Sequence, residues 1–281
     1  MPNIAFVNGK WSRLSAAKIS IEDRGFQFGD GVYEVIRTYG PEVFGLKEHL
    51  ARLKFSAGEI EIPIPYSDAQ IEKTIRLGCQ KSGYADTSIY MQLTRGAAPR
   101  NHPFPQKTRP TLVMTFRETV KIPDAVRKKG VAVISLPDIR WGRCHIKSLN
   151  LLPNIMAREA AKRAGAFEAI LVRNDVITEG AGSNVFAVMG NRVLTPPVSP
   201  YLLSGVTRDL LIKLGKKAGL DVIESELSLE DLYGADELFL TGTTVEVLPV
   251  IRLDDRPIGL KRPGKITQKL YAAFQAYIQS E

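Results

Sequence analysis

The segment Ile146-Lys147-Ser148-Leu149-Asn150 lies between two stretches of different periodicity. Before it, Gly130 to Leu136 is a short run rich in valine and isoleucine, which predicts a buried strand. After it, Leu152 to Ala164 is rich in alanine and is stopped by Gly165, which predicts a helix. Strand, lysine-bearing loop and helix in that order define an α/β unit, and the chain on either side continues the pattern. Downstream, strands are expected at Glu168 to Val172, Asn184 to Val188, Val222 to Ile223 and Glu237 to Leu240. Helices are expected at Val206 to Ala218, at Leu229 to Tyr233 behind the Ser228 cap, and from about Lys265 to the end. Upstream, Asn8-Gly9 turns a hairpin from Ile4 to Trp11, because both residues tolerate positive φ. A strand follows at Val32 to Tyr39. Leu46, Leu50, Leu53 and Ala57 are spaced as one helix face, and Ser67 with Gln70 makes a capping box for a second helix. Ser88 to Thr94 and Thr111 to Phe116 read as strands separated by a loop stiffened by Pro99, Pro103, Pro105 and Pro110.

Two α/β domains of the α+β type follow from this order: residues 1–117 as a small N-terminal domain and 130–281 as a larger one. Residues 118–129 are polar and aperiodic and are taken as a connector. The length of 281 residues and 44% hydrophobic content suffice for two cores. No run approaches the roughly 20 apolar residues of a membrane span, and Met1 to Trp11 lacks the apolar centre of a secretory signal. With only Cys79 and Cys144, far apart, neither a disulfide framework nor a cysteine metal site is indicated, and a reducing cytoplasm is expected. The 38 Lys and Arg against 30 Asp and Glu give a formal charge of +8. These charges are scattered and not interleaved with stacking aromatics, so most belong to a solvated surface and no nucleic-acid partner is expected.

Several chemistries are disfavoured by absence. There is no His-Glu-x-x-His, acidic calcium loop or Gly-x-Ser-x-Gly elbow, and no Gly-x-Gly-x-x-Gly or Walker loop. No metal is expected. What remains is a set of four separated motifs: Gly25-Phe26-Gln27-Phe28-Gly29-Asp30-Gly31-Val32-Tyr33-Glu34; Ile146 to Asn150; Thr178-Glu179-Gly180; and Ser183-Asn184-Val185-Phe186. Together, and in this order, they resemble the fold-type IV pyridoxal phosphate (PLP) enzymes over about Phe6 to Ile251. That family includes D-amino acid and branched-chain aminotransferases, (R)-amine transaminases and aminodeoxychorismate lyase.

The resemblance implies a two-domain enzyme with the cofactor between the domains. Lys147 matches the Schiff-base lysine, which attacks an aldehyde only as the neutral amine and afterwards carries a proton between the substrate Cα and the cofactor C4′. In isolation Lys147 would pass for a surface lysine; its setting and the motif give it the role. Glu179 matches the carboxylate facing the pyridine nitrogen, where a held proton makes the ring an electron sink. Arg52 matches a phosphate-binding arginine. Val206-Thr207 at a helix start and Thr243-Thr244 in a turn would offer N–H groups and hydroxyls to the same phosphate. Arg140 is expected to approach the cofactor's phenolic oxygen.

The segment Arg95 to Pro105 resembles the D-amino acid aminotransferase loop, in which an arginine and a histidine two residues on grip the substrate α-carboxylate with a tyrosine. Arg100, His102 and Tyr33 take those positions, and a planar guanidinium suits two parallel bonds to a carboxylate. The resemblance implies that the loop comes from a neighbouring subunit, hence a homodimer with shared sites. The expected reaction is ping-pong transfer from a D-amino acid such as D-alanine to a 2-oxo acid such as 2-oxoglutarate. Alternatives are a branched-chain L-amino acid or (R)-amine transaminase, a lyase, or a PLP-binding or basic-surface protein without turnover. Ala181-Gly182 departs from the serine-rich D-enzyme pattern after Glu-Gly, which puts rate and substrate range in question. Leu203 and Val35 are expected to line the side-chain pocket.

Overall fold

A computed structural model describes residues 3–280. The ends of the two expected domains at residues 1, 2 and 281 lie outside the described residues. The chain forms two compact units, Met1–Val120 with Ile146–Asn150, and Lys121–His145 with Leu151–Glu281.

The first unit contains β1 (Ile4–Val7), β2 (Lys10–Arg13), α1 (Arg24–Phe28), β3 (Gly31–Tyr39), β4 (Glu42–Val43), α2 (Leu46–Glu59), α3 (Asp68–Ser82), β5 (Thr87–Thr94) and β6 (Thr111–Glu118). The strands form one antiparallel sheet in the order β2-β1-β6-β5-β3-β4. Asn8 and Gly9 both take positive φ, as the hairpin turn requires. The reciprocal capping box of Ser67 and Gln70 starts α3. β5 and β6 alternate buried and part-exposed residues, so Ile89, Met91, Leu93, Met114 and Phe116 face one core. α2 packs on β3, and α3 on β1 and β6.

The lysine segment belongs to this first unit although the chain reaches it only after β7. It lies antiparallel against the start of β3: Leu149 N–H donates to Gly31 O at 3.0 Å, and Tyr33 N–H to Lys147 O at 2.9 Å. Gly31 is required there, because a Cβ would stand 2.7 Å from Leu93 O and 2.9 Å from Leu149 Cδ1.

The second unit contains α4 (Asp124–Lys129), β7 (Val131–Pro137), α5 (Leu152–Arg163), β8 (Glu168–Arg173), β9 (Val176–Gly180), β10 (Asn184–Met189), β11 (Arg192–Thr195), α6 (Val206–Lys217), β12 (Asp221–Glu224), α7 (Leu229–Tyr233), β13 (Glu237–Gly242), β14 (Glu246–Leu253), β15 (Arg256–Pro257) and α8 (Lys265–Ser280). Its mixed sheet runs β12-β11-β10-β13-β14-β7-β8-β9, with β15 paired to β14. β7 is parallel to both β14 and β8, and α5 makes the crossover between β7 and β8. Val133, Ile170, Val185, Leu240 and Leu248 share its core.

Two expectations change. Residues 118–129 were read as a connector, but Glu118 ends β6 and Asp124–Lys129 is helical. The six-residue helix is too short to show a period, and Arg127, the residue it buries, is charged. β7 is not buried throughout: Val131 and Val133 are buried while the residues between and after them are partly exposed. β9, β11 and β14 were not anticipated, since Glu179 and Pro249 interrupt the apolar pattern of β9 and β14.

At Gly78 in α3 an added Cβ would come within 2.1 Å of the Phe116 ring. Gly78→Ala is expected to lower stability by about 2 kcal/mol, as overpacked cores do, read as a shifted urea midpoint with an unchanged slope.

Candidate active site

In the first unit, Lys147 is held by its backbone. Its carbonyl accepts from Tyr33 N–H, its N–H donates to Ser56 Oγ at 3.1 Å, and its Nζ stands 4.4 Å from the centroid of the Tyr33 ring. Tyr33 also packs on Tyr90, with ring centroids 5.7 Å apart. Strand register therefore brings Lys147 and Tyr33 together.

Arg52 projects from α2 onto β3 and makes a two-point contact with Glu34: Nε donates to Oε1 and Nη2 to Oε2, both at 2.8 Å. His49, one turn earlier, donates from Nδ1 to Glu34 Oε2 at 2.8 Å. Glu34 and His49 are fully buried. Burial pushes the Glu34 carboxyl up, but the charge and hydrogen bonds of Arg52, with the bond from His49, outweigh it and bring the group down to about 2. Burial holds His49 below its ordinary value against the pull of Glu34, with the charges of Arg52 and Lys147 acting in the same direction as burial. The ring is thus neutral, with Nδ1 as its donor. Glu34 and His49 were not anticipated as site residues; Glu34 stood inside the first motif, and a charge on an inward β3 position was the available signal.

Arg100 and His102 are both exposed and meet at the Phe28 ring, 4.4 Å from guanidinium to centroid and 5.6 Å between centroids. Their loop is pinned from below. Buried Arg24 donates to the carbonyls of Asn101 and His102, and buried Arg95 places its guanidinium 3.5 Å from the Phe104 centroid. Asp30 joins the two arginines, accepting from Arg24 Nε at 2.7 Å and Arg95 Nε at 2.8 Å. Arg24, Asp30 and Arg95 support the loop, and sequence reading had given none of them a role. Tyr33, by contrast, is placed with Lys147.

In the second unit, Glu179 on β9 is buried and accepts from three sides: from Arg140 Nη1 on Oε1, and from Asn184 Nδ2 and Leu203 N–H on Oε2, each of the latter at 3.2 Å. Arg140 is itself clamped by Asp138, whose oxygens accept from its Nε and Nη2, each at 2.9 Å. Burial raises the Asp138 carboxyl, and the bonds and charge of Arg140, aided by Arg173, overcome this and bring it to about 2. The turn after Glu179 is shaped by buried Glu168, which accepts from Gly182 N–H at 2.9 Å and Ser183 Oγ at 3.1 Å. Ala181-Gly182 therefore sits in an ordered turn despite its missing hydroxyls. Leu203 reaches the site through its backbone N–H, and Val35 lies on β3 beside Glu34.

Val206 and Thr207 begin α6, whose first turn has no side-chain cap. At the N-cap Gly205, a Cβ would meet Asn184 Oδ1 at 2.1 Å. Thr207 Oγ1 and Thr241 Oγ1 are buried and have no hydrogen-bond partner among the described residues. Thr243 and Thr244 form the turn between β13 and β14. Unpaired buried hydroxyls and an uncapped helix start fit a phosphate, which accepts from hydroxyls and N–H groups alike. Among the described residues no cluster of His, Cys, Asp and Glu could hold a metal, and no helix is long and apolar enough to cross a membrane.

The class IV amino-transferase pattern matches residues 31–253, and the chain belongs to that family. A D-alanine aminotransferase of Bacillus licheniformis is 42% identical over 274 residues, covering 98% of this chain and 96% of that protein. Among solved structures, the branched-chain amino acid aminotransferase of Escherichia coli superposes with a TM-score of 0.92 at 28% identity, over 99% of this chain and 95% of the other. A branched-chain amino acid aminotransferase of T.th., solved with pyridoxamine 5'-phosphate, also gives 0.92 at 28% identity, over 100% and 95%.

The buried ion pairs set an acid limit. His49 and Glu34 both have folded values below their ordinary 6.5 and 4.5, so the unfolded chain binds more protons as pH falls and stability is lost in that direction. Stability by urea titration is expected to decline below pH 6.5 and more steeply from 4.5 towards 2. Glu34→Gln should remove about 3 kcal/mol of the lower part of that fall.

Proposed function

We propose that this protein is a PLP-dependent aminotransferase that moves the amino group of a D-amino acid, such as D-alanine, to a 2-oxo acid, such as 2-oxoglutarate, in two half-reactions. The reading is supported by membership in the class IV family, by identity of about 40% with D-alanine aminotransferases, and by the residues of both units. The observation that carries the choice of substrate is the Arg95 to Phe104 loop. Fixed at its base by Arg24, Asp30 and Arg95, it presents Arg100 and His102 to solvent instead of burying them in ion pairs.

Bound PLP supplies an electron sink that stabilises negative charge at the substrate Cα. Lys147 Nζ would hold the cofactor's aldehyde carbon and would serve as the base that carries the proton at the substrate Cα. Glu179 would face the pyridine nitrogen and favour its protonated form, and Arg140 would act through Glu179 by fixing its carboxylate. Arg140 would also lie near the phenolic oxygen. In the second unit Thr207, Val206 N–H and the Thr243-Thr244 turn would hold the phosphate; in the first, Arg52, whose guanidinium plane is set by Glu34, is the phosphate-binding candidate. Arg100 and His102, with Tyr33, grip the α-carboxylate and so choose which hydrogen on Cα faces Lys147. The working form is a homodimer in the cytoplasm. Exposed apolar side chains such as Ile21, Phe26, Leu152 and Ile155 support a second copy covering them.

The solved branched-chain neighbours favour a second reading, transfer from L-leucine and its kin. Adding D-alanine or L-leucine to the holoprotein while following its visible absorbance separates the two. D-alanine is expected to bleach the aldehyde form, and bleaching by L-leucine alone would transfer the assignment. Arg100→Ala is expected to lower kcat/KM for D-alanine by about 100-fold while changing simple amines by less than about fivefold, since only the former carry a carboxylate. Equal losses would make Arg100 a structural residue.

A further inference from the structure

The turn from Thr243 to Val245 is followed by Glu246 at φ +58, in the left-handed region that a residue with a Cβ enters only at a cost. Such a conformation persists where its surroundings fix it. Here one side chain makes three of the contacts that do so. Arg127 of α4, with its side chain 9% exposed, donates from Nη1 to the carbonyls of Val245 and Val247 and from Nη2 to Glu246 Oε2 at 3.1 Å. One guanidinium therefore holds the carbonyl before Glu246, the carbonyl after it and its carboxylate. Tyr271 of α8 lies against the guanidinium, 4.4 Å from its carbon to the ring centroid, and Gln275 donates to the same Glu246 oxygen at 3.4 Å. α4 has no side-chain N-cap and spans six residues, so little in its own sequence accounts for a helix at this place. Burying an arginine costs free energy that must be recovered in contacts, and these contacts all bear on the end of the Thr243-Thr244 turn.

We infer that Arg127 is a positioning residue for the cofactor: by clasping Val245, Glu246 and Val247 it fixes the Thr243-Thr244 turn in the shape that receives the PLP phosphate. The inference rests on the assignment of that turn to the phosphate. Lysine at position 127 reaches one or two of the three acceptors, whereas methionine fills the space and reaches none. Cofactor retention should therefore fall in the order wild type, Arg127→Lys, Arg127→Met.

The test measures the PLP dissociation constant of each protein by equilibrium dialysis, the ³¹P resonance of the bound phosphate, the urea midpoint of the cofactor-free form, and kcat at saturating PLP. Thr207→Ala is carried alongside as a direct probe of the phosphate assignment. Arg127→Met is expected to weaken PLP binding by about tenfold or more, from the loss of buried charge-assisted hydrogen bonds. The ³¹P resonance should shift, Arg127→Lys should recover part of the affinity, and kcat at saturating PLP should change much less than the dissociation constant. If Arg127→Met fails to fold, Arg127→Lys and Glu246→Gln carry the same readouts. A lowered urea midpoint with an unaltered dissociation constant and ³¹P resonance would make Arg127 a structural residue and overturn the inference. Weaker binding in Thr207→Ala with wild-type binding in the Arg127 variants would overturn it while leaving the phosphate assignment standing. Wild-type binding in both sets would remove the assignment itself, and the inference with it.

Discussion

A carboxylate buried in a protein must be compensated by positive charge and hydrogen bonds, and in this chain that requirement organises the candidate site. Glu34 is matched by Arg52 and His49, Asp138 and Glu179 by Arg140, and Glu246 by Arg127, and the partly buried Asp30 is matched in the same way by Arg24 and Arg95. In each case the pair fixes a plane or a loop as well as a charge. Arg52 is oriented at two points, the Arg100 loop is pinned through its carbonyls, and Glu179 is held from three sides. Truncating one partner would leave the other buried and uncompensated, so these pairs resist change more strongly than their net contribution to stability suggests.

The same strand that buries one of these pairs also places the candidate Lys147. Lys147 sits in a five-residue segment that adds to β3 through backbone bonds, and its neighbours there are the residues that follow Asp30 and precede Glu34. Strand register sets Tyr33 beside Lys147 while sending Glu34, the next residue, to the opposite face and the core. One strand thus presents an aromatic ring to the lysine on one side and anchors an arginine on the other. β3 tolerates the inward charge because α2 delivers His49 and Arg52 one turn apart on the face that meets it.

The second unit applies a similar arrangement with different parts. Asn184 bonds to Glu179 through Nδ2 and also reaches the carbonyl of Leu203, so the carboxylate and the loop that leads into α6 are set by one side chain. Gly205 leaves room for that amide where a Cβ would collide with it. The helix start at Val206 and Thr207 and the carboxylate on β9 are therefore placed by shared hydrogen bonds.

The sequence by itself determined most of the elements and their class. Asn8-Gly9, the Ser67-Gln70 box, Ser228 and Gly165 act within a few residues, and local rules read them correctly. The four motifs identified the family; two of them carry Lys147 and Glu179, while Arg52 in α2 and Arg100 in the Arg95 to Pro105 segment were visible as candidates only through the resemblance. Tertiary structure decided what the charges do to one another. That Arg52 is set by Glu34, that Arg24 holds the Arg100 loop, and that Arg127 clasps the turn after Thr244 depend on partners 18 to 120 residues away. It also gave the polar run 118–129 its helix, since α4 is defined by a buried arginine and not by an apolar face. An amphipathic period is written in neighbouring residues, whereas the partner of a buried charge is chosen by whatever the fold brings within about 3 Å.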